Sequence, residues 1–553
     1  MKRKSIALIT LLFLVSTVMF LFPLNVQAKM TKNTFNGMGK VLVQGALIHG
    51  ANGIMFDEND RLYIASVMGN EILVMDPKSG MILERFPAVG PDDLAFGPDG
   101  SLYYTAIMAG MVVRIKPDGT ITQQFVAPGV NPITFSEDGR LFVALDFLGD
   151  GLYELDPNLV DPPIQIAGIP FTPFLGFLNG MDFGPDGLLY APVWTGARVV
   201  SIDVDASPFA MTTVCDEDIG TPAAVKFDSQ GNLYVADIEK GEVSRIDVET
   251  GDKEVIATDL AGLDNLAFDS RDRLYVSHGG DGSIYQILPS GETRMISKGG
   301  MIFPGGVAVM PDAHAGESVF VGDIFTLREF DGLTGKAESV ERHILTVPGG
   351  ITSPFTVSTD GDNLILSSWF GNAVQVWNPG TRTVEEEYLG FVIPLNAIGF
   401  QDDIAVAELG TGSVVWASDG SIIASGLFVP AGLAAIGDDL YVSDWASGIV
   451  WRIVTGGSPT MTMVARELSK PEGLAVDLDG NLLVVESGAG QLTRINLATV
   501  NDKTILVEGL EIGTEVPGAP PTMIFNGVAV GATGYIFVTG DVANVLYRFK
   551  PTN

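Results

Sequence analysis

The stretch NGIMFDENDRLYIASVMGNEILVMD, which begins at Asn52, is rewritten along the rest of the chain. It returns as DDLAFGPDGSLYYTAIMAGMVVRI from Asp92, NPITFSEDGRLFVALDFLGDGLYELD from Asn131 and PEGLAVDLDGNLLVVESGAGQLTRI from Pro471. Each copy reads as three short apolar runs separated by turns rich in Asp and Gly, the pattern of an antiparallel meander. Shorter copies begin at Leu178, Pro222, Leu263, Pro304, Ser353, Leu395, Pro430 and Phe525, which makes twelve units. From Asn52 to Asn526 they span 474 residues in eleven steps, about 43 residues per step. A period of ~40–50 residues with several strands per repeat is that of a β-propeller blade.

Most units are followed by a fourth apolar stretch, such as MILERF from Met81, KEVIA from Lys253 or TILVEG from Thr504. These predict the outer strand of a four-stranded blade. The twelfth unit lacks one, while a spare strand, Gly39 to Gly45, precedes the first. Because single rings usually hold about 4–8 blades, twelve four-stranded blades predict an all-β chain of tandem six-bladed propellers, residues 29–290 and 291–553. Ring closure leaves no bare edge if terminal strands are exchanged. The expected exchange puts Gly39–Gly45 on the blade that begins at Asp264 and Glu292–Ser297 on the blade that begins at Asn526, so that each ring latches the other.

The N-terminus, MKRKSIALITLLFLVSTVMFLFPLNVQA, has three cations, a long apolar run, Pro23, and the small residues Val26 and Ala28 around a cleavage point. It reads as a secretory signal peptide over residues 1–28, though Ile6–Phe22 is also long enough for an uncleaved anchor. The expected location is secreted or periplasmic, with no stable membrane insertion after cleavage. Loss of Lys2, Arg3 and Lys4 leaves 29 basic against 67 acidic residues, a formal charge of −38. Nucleic acid and anionic membranes are poor partners for such a surface. Cys215 is the single cysteine, so no disulfide framework exists, and it reads as a small hydrophobe on an outer strand.

In a blade the innermost strand starts at the mouth of the central channel. The residue just before its first apolar position therefore faces that mouth. At this offset the first six units carry Asn52, Asp92, Asn131, Asn179, Ala223 and Asp264, and the second six carry Gly305, Ser353, Asn396, Ala431, Glu472 and Asn526. Carboxylate and amide oxygens converging on an axis suit Ca²⁺, a hard cation with oxygen ligands. The second strand returns to the same face, placing Asp237, His278, Asp323, Glu408, Asp444 and Glu486 around it. An acid closing LYVAD or LYVSD also caps the adjoining turn through backbone N–H groups, and a lone His lacks a partner at metal-binding spacing. No G-x-S-x-G elbow, paired C-x-x-C or phosphate-cradling loop occurs.

The mouth tripeptides LNG at 178–180, FNG at 525–527, LDN at 263–265 and PEG at 471–473 resemble those of the six-bladed propeller family of gluconolactonase, senescence marker protein and luciferin-regenerating enzyme. The likeness extends more distantly to NHL repeats, strictosidine synthase, paraoxonase and virginiamycin B lyase. It covers nearly all of the chain after the signal. It implies metal-ligand roles for Asn52, Asn179 and Asp264 in the first ring and for Asn396, Glu472 and Asn526 in the second. The likeness implies Asp264 as the base in the first ring; in the second the candidate base is Glu472 itself, or Glu486 above it. The family's enzymes are single rings of about half this length, and here the first ring lacks the mouth Glu and the second the mouth Asp.

Two functions follow. One is a Ca²⁺-dependent hydrolase of small-molecule lactones or related esters, with Asp264 and Glu472 as catalytic carboxylates and the cation in the second ring, where Glu472 brings a full charge. The other is a non-catalytic NHL-like scaffold that takes a protein or glycan partner on a propeller face.

Overall fold

The computed structural model describes residues 39–311, 316–343, 349–514 and 525–550; the signal-peptide segment lies outside them. The chain folds into twelve four-stranded antiparallel sheets. Among the described residues the only helix is one turn of 3-10 helix at Trp194–Gly196. The blades form two rings. The inner strand Ala51–Phe56 packs against both Pro91–Phe96 and Leu263–Phe268, closing the first ring, and Pro304–Pro311 packs against both Thr356–Asp360 and Val528–Val530, closing the second. Tandem six-bladed propellers are thus the architecture.

Apolar side chains of the second and third strands fill the space between blades. Leu62, Ile64, Leu73 and Met75 of the first blade pack with Ala267, Tyr275 and Ile284 of the sixth, and the apolar positions of successive LYVxx strands repeat this around each ring. A second repeating contact is a hydroxyl. Thr105, Ser277 and Ser443 each donate to the carbonyl of the mouth residue on the next blade, that of Asn131 at 2.6 Å, Asn52 at 2.6 Å and Glu472 at 2.5 Å. Thr539 donates to Gly305 in the same way. The Ser277 and Thr539 bonds join last blade to first, so they seal the two rings.

The inner strands share a register slip where they begin. Ala51 pairs with Ser66 and Ile54 with Ile64, which leaves Asn52 and Gly53 off the ladder. The same slip follows Pro91, Val130, Leu263, Pro304, Pro430 and Pro471. A bulge bends the strand and re-aims the side chains it carries. Here it turns the mouth residues away from the sheet.

The exchange of terminal strands differs from the expectation. Gly39–Gln44 pairs with Val545–Phe549 as the outer strand of the twelfth blade, and Thr293–Ser297 pairs with its own neighbour, Ile284–Ile287. The sixth blade has its fourth strand at hand across the tight turn Leu288–Glu292, closed by the Gly291 N–H on the Leu288 carbonyl at 2.8 Å. Closing so short a loop costs little entropy. Only the twelfth blade ends with a bare edge, and the N-terminal strand covers it. The first ring, Ala51 to Ser297, is therefore inserted between the first strand of the second ring and the rest of it. The two connecting segments lie side by side, with the Ala46 N–H donating to the Met301 carbonyl at 2.8 Å and Gly45 to Asn544 at 2.6 Å.

Candidate functional site

The two channel mouths differ in how their polar atoms are satisfied. In the second ring Glu472 is fully buried and accepts from the Asn526 backbone N–H at 2.7 Å, the Asn526 Nδ2 at 3.0 Å and the Trp445 indole at 3.3 Å. The Asn526 side-chain oxygen accepts in turn from the Asp541 N–H at 3.2 Å, and the Asp541 carboxylate takes the N–H groups of Gly513 and Thr514, both at 2.8 Å. Burial, and then repulsion from Asp541, raises the Glu472 carboxyl to about 7. Beside this network Leu395, Ala431 and Phe525 pack with Trp369, Ile393 and Trp445. A cavity of about 210 Å³ is lined by the inner strands of all six blades, with Ala431, Phe525 and Asn526 among its residues. Asn396, on that lining, has a buried side-chain oxygen with no partner. Glu472 and Asn526 are brought together, but each serves the other.

The first ring gathers more charge and satisfies less of it. Asp92, Asn131, Asp146 and Asn179 are buried at its mouth. Asn131 Nδ2 donates to Asp146 at 2.7 Å and to the Asn179 side-chain oxygen at 3.3 Å, tying polar groups of two neighbouring blades into one row. The remaining Asp146 oxygen and one Asp92 oxygen have no partner. Burial raises Asp92 well above the usual carboxylate range, and Asp146, Asp264 and Asp93 push it further. Asp146 is raised chiefly by burial and also by Asp264. Asp264 is raised to about 7 by burial and by Asp93. Carboxylates that raise one another in this way lie in one field, and a cation or a shared proton relieves it. Asp93 itself is spoken for, accepting from Leu94 N, Ile133 N and Asn265 Nδ2. Asn52 stands at the same mouth, on the bulge of the first inner strand.

Among the described residues no three His, Cys, Asp or Glu side chains form a ready-made metal cluster. Any cation here would draw on amide oxygens as well as carboxylates. Two of its anionic oxygens, on Asp92 and Asp146, are those left without donors, and this fits a hard divalent ion.

The acids at the end of the second strands are turn caps. Asp237 accepts from Gly220 N and Thr221 N, Asp323 from Ile302 N and Phe303 N, and Asp444 from Phe428 N and Val429 N. Glu408 takes Val392 N and Glu486 takes Ser469 N. Each of these five holds the loop that leads into Pro222, Pro304, Pro430, Pro394 or Pro471, a residue with no N–H of its own. His278 is buried, with Nε2 2.5 Å from the Ala261 carbonyl and Nδ1 3.2 Å from Asp281. Cys215 is buried at the end of an outer strand, with Sγ against the Glu217 carbonyl.

Asp146, Asp93 and Asp541 escaped the sequence reading. Asp146 and Asp541 stand one residue past the second strand, where the strand-end pattern does not look. Asp93 stands one past the mouth position and is brought inward by the two-residue bulge.

No protein-family model matches the chain, and no curated protein matches it. Solved structures with a similar course of chain include virginiamycin B lyase from Staphylococcus aureus, with 15% identity over 50% of this chain and 94% of that one and a TM-score of 0.37. A gluconolactonase from Xanthomonas campestris shows 16% identity over 46% of this chain and 91% of that one, with a TM-score of 0.36. The extracellular domain of a one-component system protein, BT4673 of B. thetaiotaomicron, shows 11% identity over 91% of this chain and 76% of that one, with a TM-score of 0.32.

Proposed function

We propose that the mouth of the first ring is a calcium site and that the protein is an exported, calcium-dependent hydrolase of lactones or related esters. The observation that carries this reading is the pair of buried carboxylate oxygens, on Asp92 and Asp146, that lack donors beside the amides of Asn131 and Asn179. A buried charge without a partner is strongly destabilising, so a native fold keeps one only with a counter-ion or a proton. The second ring, whose Glu472 already has three donors, is the weaker candidate.

Asp92 and Asp146 would hold the ion, with Asn131 and Asn179 turning carbonyl oxygens toward it and Asn52 on the adjoining blade. Calcium bound there supplies a Lewis acid for a carbonyl oxygen. Asp264, raised to about 7, is poised as general base at neutral pH. It would take a proton from water as the water oxygen bonds to the carbonyl carbon. The ring C–O bond then breaks, and the proton passes from Asp264 to the leaving alkoxide, so one water is consumed per ester opened. No Ser or Cys nucleophile is needed.

The test is calorimetry with Ca²⁺ together with a panel of lactones and aryl esters, with and without chelator, on wild type and Asp146→Asn. Calcium binding and turnover that both fail in Asp146→Asn support the reading. Binding without any turnover favours the scaffold reading, to which the three donors already held by Glu472 in the second ring lend support, with a protein or glycan partner on a propeller face.

A further inference from the structure

Beside the acids of the first ring stands a ledge of aromatic side chains that the proposed chemistry does not use. Phe147 follows Asp146 directly, and Phe177 precedes Asn179 by two residues. Both hold left-handed backbone, with φ of 51° and 62°. That region is sparsely populated, and for a bulky side chain it is an outlier that a fold keeps only where surrounding contacts impose it. The two rings lie 5.8 Å apart, Trp194 meets Phe147 edge-on at 5.5 Å, and Phe174 meets Phe177 edge-on at 5.1 Å.

The ledge is held firmly in place. The Trp194 backbone N–H donates to the Phe177 carbonyl at 3.0 Å. The Leu175 N–H is clasped by the Asp150 carboxylate at 3.0 and 3.1 Å, while the Leu175 side chain enters the core. Yet its outer member, Phe174, stays 48% exposed, and Phe171, three residues earlier in the same segment, is 71% exposed. The indole of Trp194 gives a second, independent sign. Trp194 is 7% exposed, and its N–H has no acceptor, although a buried indole nearly always finds one.

We infer that this ledge is the substrate subsite of the first ring, and that it takes a flat aromatic or conjugated ring carrying an acceptor oxygen. The ring stacks on Phe174 and Phe177, the oxygen meets the Trp194 N–H, and the ester group reaches the Asp146–Asn131–Asn179 row beside it. This rests on the hydrolase reading for the reaction, though not for the binding. It sets the substrate class apart from sugar lactones, whose hydroxyl groups would face phenylalanine edges.

Two measurements separate the inference from the reading beneath it. The first compares kcat/KM for a benzo-fused six-membered lactone with that for the same lactone ring without the arene. Wild type should prefer the fused compound at least tenfold, and Phe171→Ala/Phe174→Ala should remove that preference. The second is calorimetric binding of the non-hydrolysable benzo-fused lactam, with calcium and with chelator. Binding should weaken at least tenfold in Phe171→Ala/Phe174→Ala, whose changes lie at exposed positions, and in Trp194→Phe, which keeps a ring and removes the N–H. Equal use of both lactones, no lactam binding, or lactam binding that ignores these changes overturns the subsite. If neither lactone is opened while the lactam binds and the variants weaken it, the hydrolase reading fails and the subsite stands.

Discussion

Glu472→Gln should flatten the pH dependence of stability, by an amount that the Glu472 environment sets. The unfolded carboxyl titrates near 4.5 and the folded one at about 7. The folded state therefore binds the more protons between these values, so stability falls as pH rises through that window. The stabilisation relative to the ionised acid is fully present below 4.5 and is lost above about 7. A shift of this size corresponds to about 3 kcal/mol at about 1.36 kcal/mol per pH unit. Glutamine keeps the shape, stays neutral, and places its oxygen where Asn526 donates twice; its amide meets the Trp445 N–H, a bond already long at 3.3 Å. That mismatch lowers stability equally at every pH and cancels when differences are taken across pH. Urea unfolding of wild type and variant at pH 4.5, 6, 7 and 8, followed by tryptophan fluorescence, should show the variant gaining on wild type by about 3 kcal/mol over the series. Parallel profiles, within about 0.5 kcal/mol, would refute the account of Glu472 as a buried acid held by its neighbours. Calcium affinity should be the same in both proteins if the first ring is the site.

In the first ring, Asp92→Asn and Asp146→Asn should each weaken calcium binding at least tenfold, about 1.4 kcal/mol by calorimetry. Asp264→Asn should lower kcat on any ester substrate by about 100-fold or more, and wild-type rate should climb with pH through about 7 as Asp264 loses its proton. Thr539→Val leaves the Gly305 carbonyl and the Gly527 N–H without the hydroxyl that serves both. It should cost about 1–3 kcal/mol in chemical denaturation.

The repeat made the blades readable because each strand is short, apolar and closed by Asp or Gly turns, and propeller geometry leaves such units little else to do. The capping acids were half legible. Asp237 and Asp444 end LYVAD and LYVSD, and the prolines that open Pro222–Phe227 and Pro430–Ile436 follow N–H groups that need an acceptor, but the sequence does not say which loop an acid will reach. Asp93 was not legible because its place at the mouth depends on a bulge that sets two residues opposite one, and Asp146 because it stands one residue past its strand. The wrong choice of terminal strand has a similar origin. Gly39–Gly45 fits either open edge by composition, and the edge it takes was decided by the short turn at Leu288–Glu292, which gave the sixth blade its own fourth strand.

Insertion of one ring within the other imposes an order of events on a chain made from its N-terminus. All strands of the first ring, Ala51 to Ser297, exist before most of the second has been synthesised, so the first can complete itself early. Gly39–Gln44 must wait, its backbone groups unpaired, until Val545–Phe549 appears some five hundred residues later. The second ring is thus sealed last, by a strand made before any of the first ring, and its closure reports that both rings have been synthesised. A chain truncated before Val545 would carry a finished first ring beside an open second one, with two unpaired strand edges for proteases and chaperones to find.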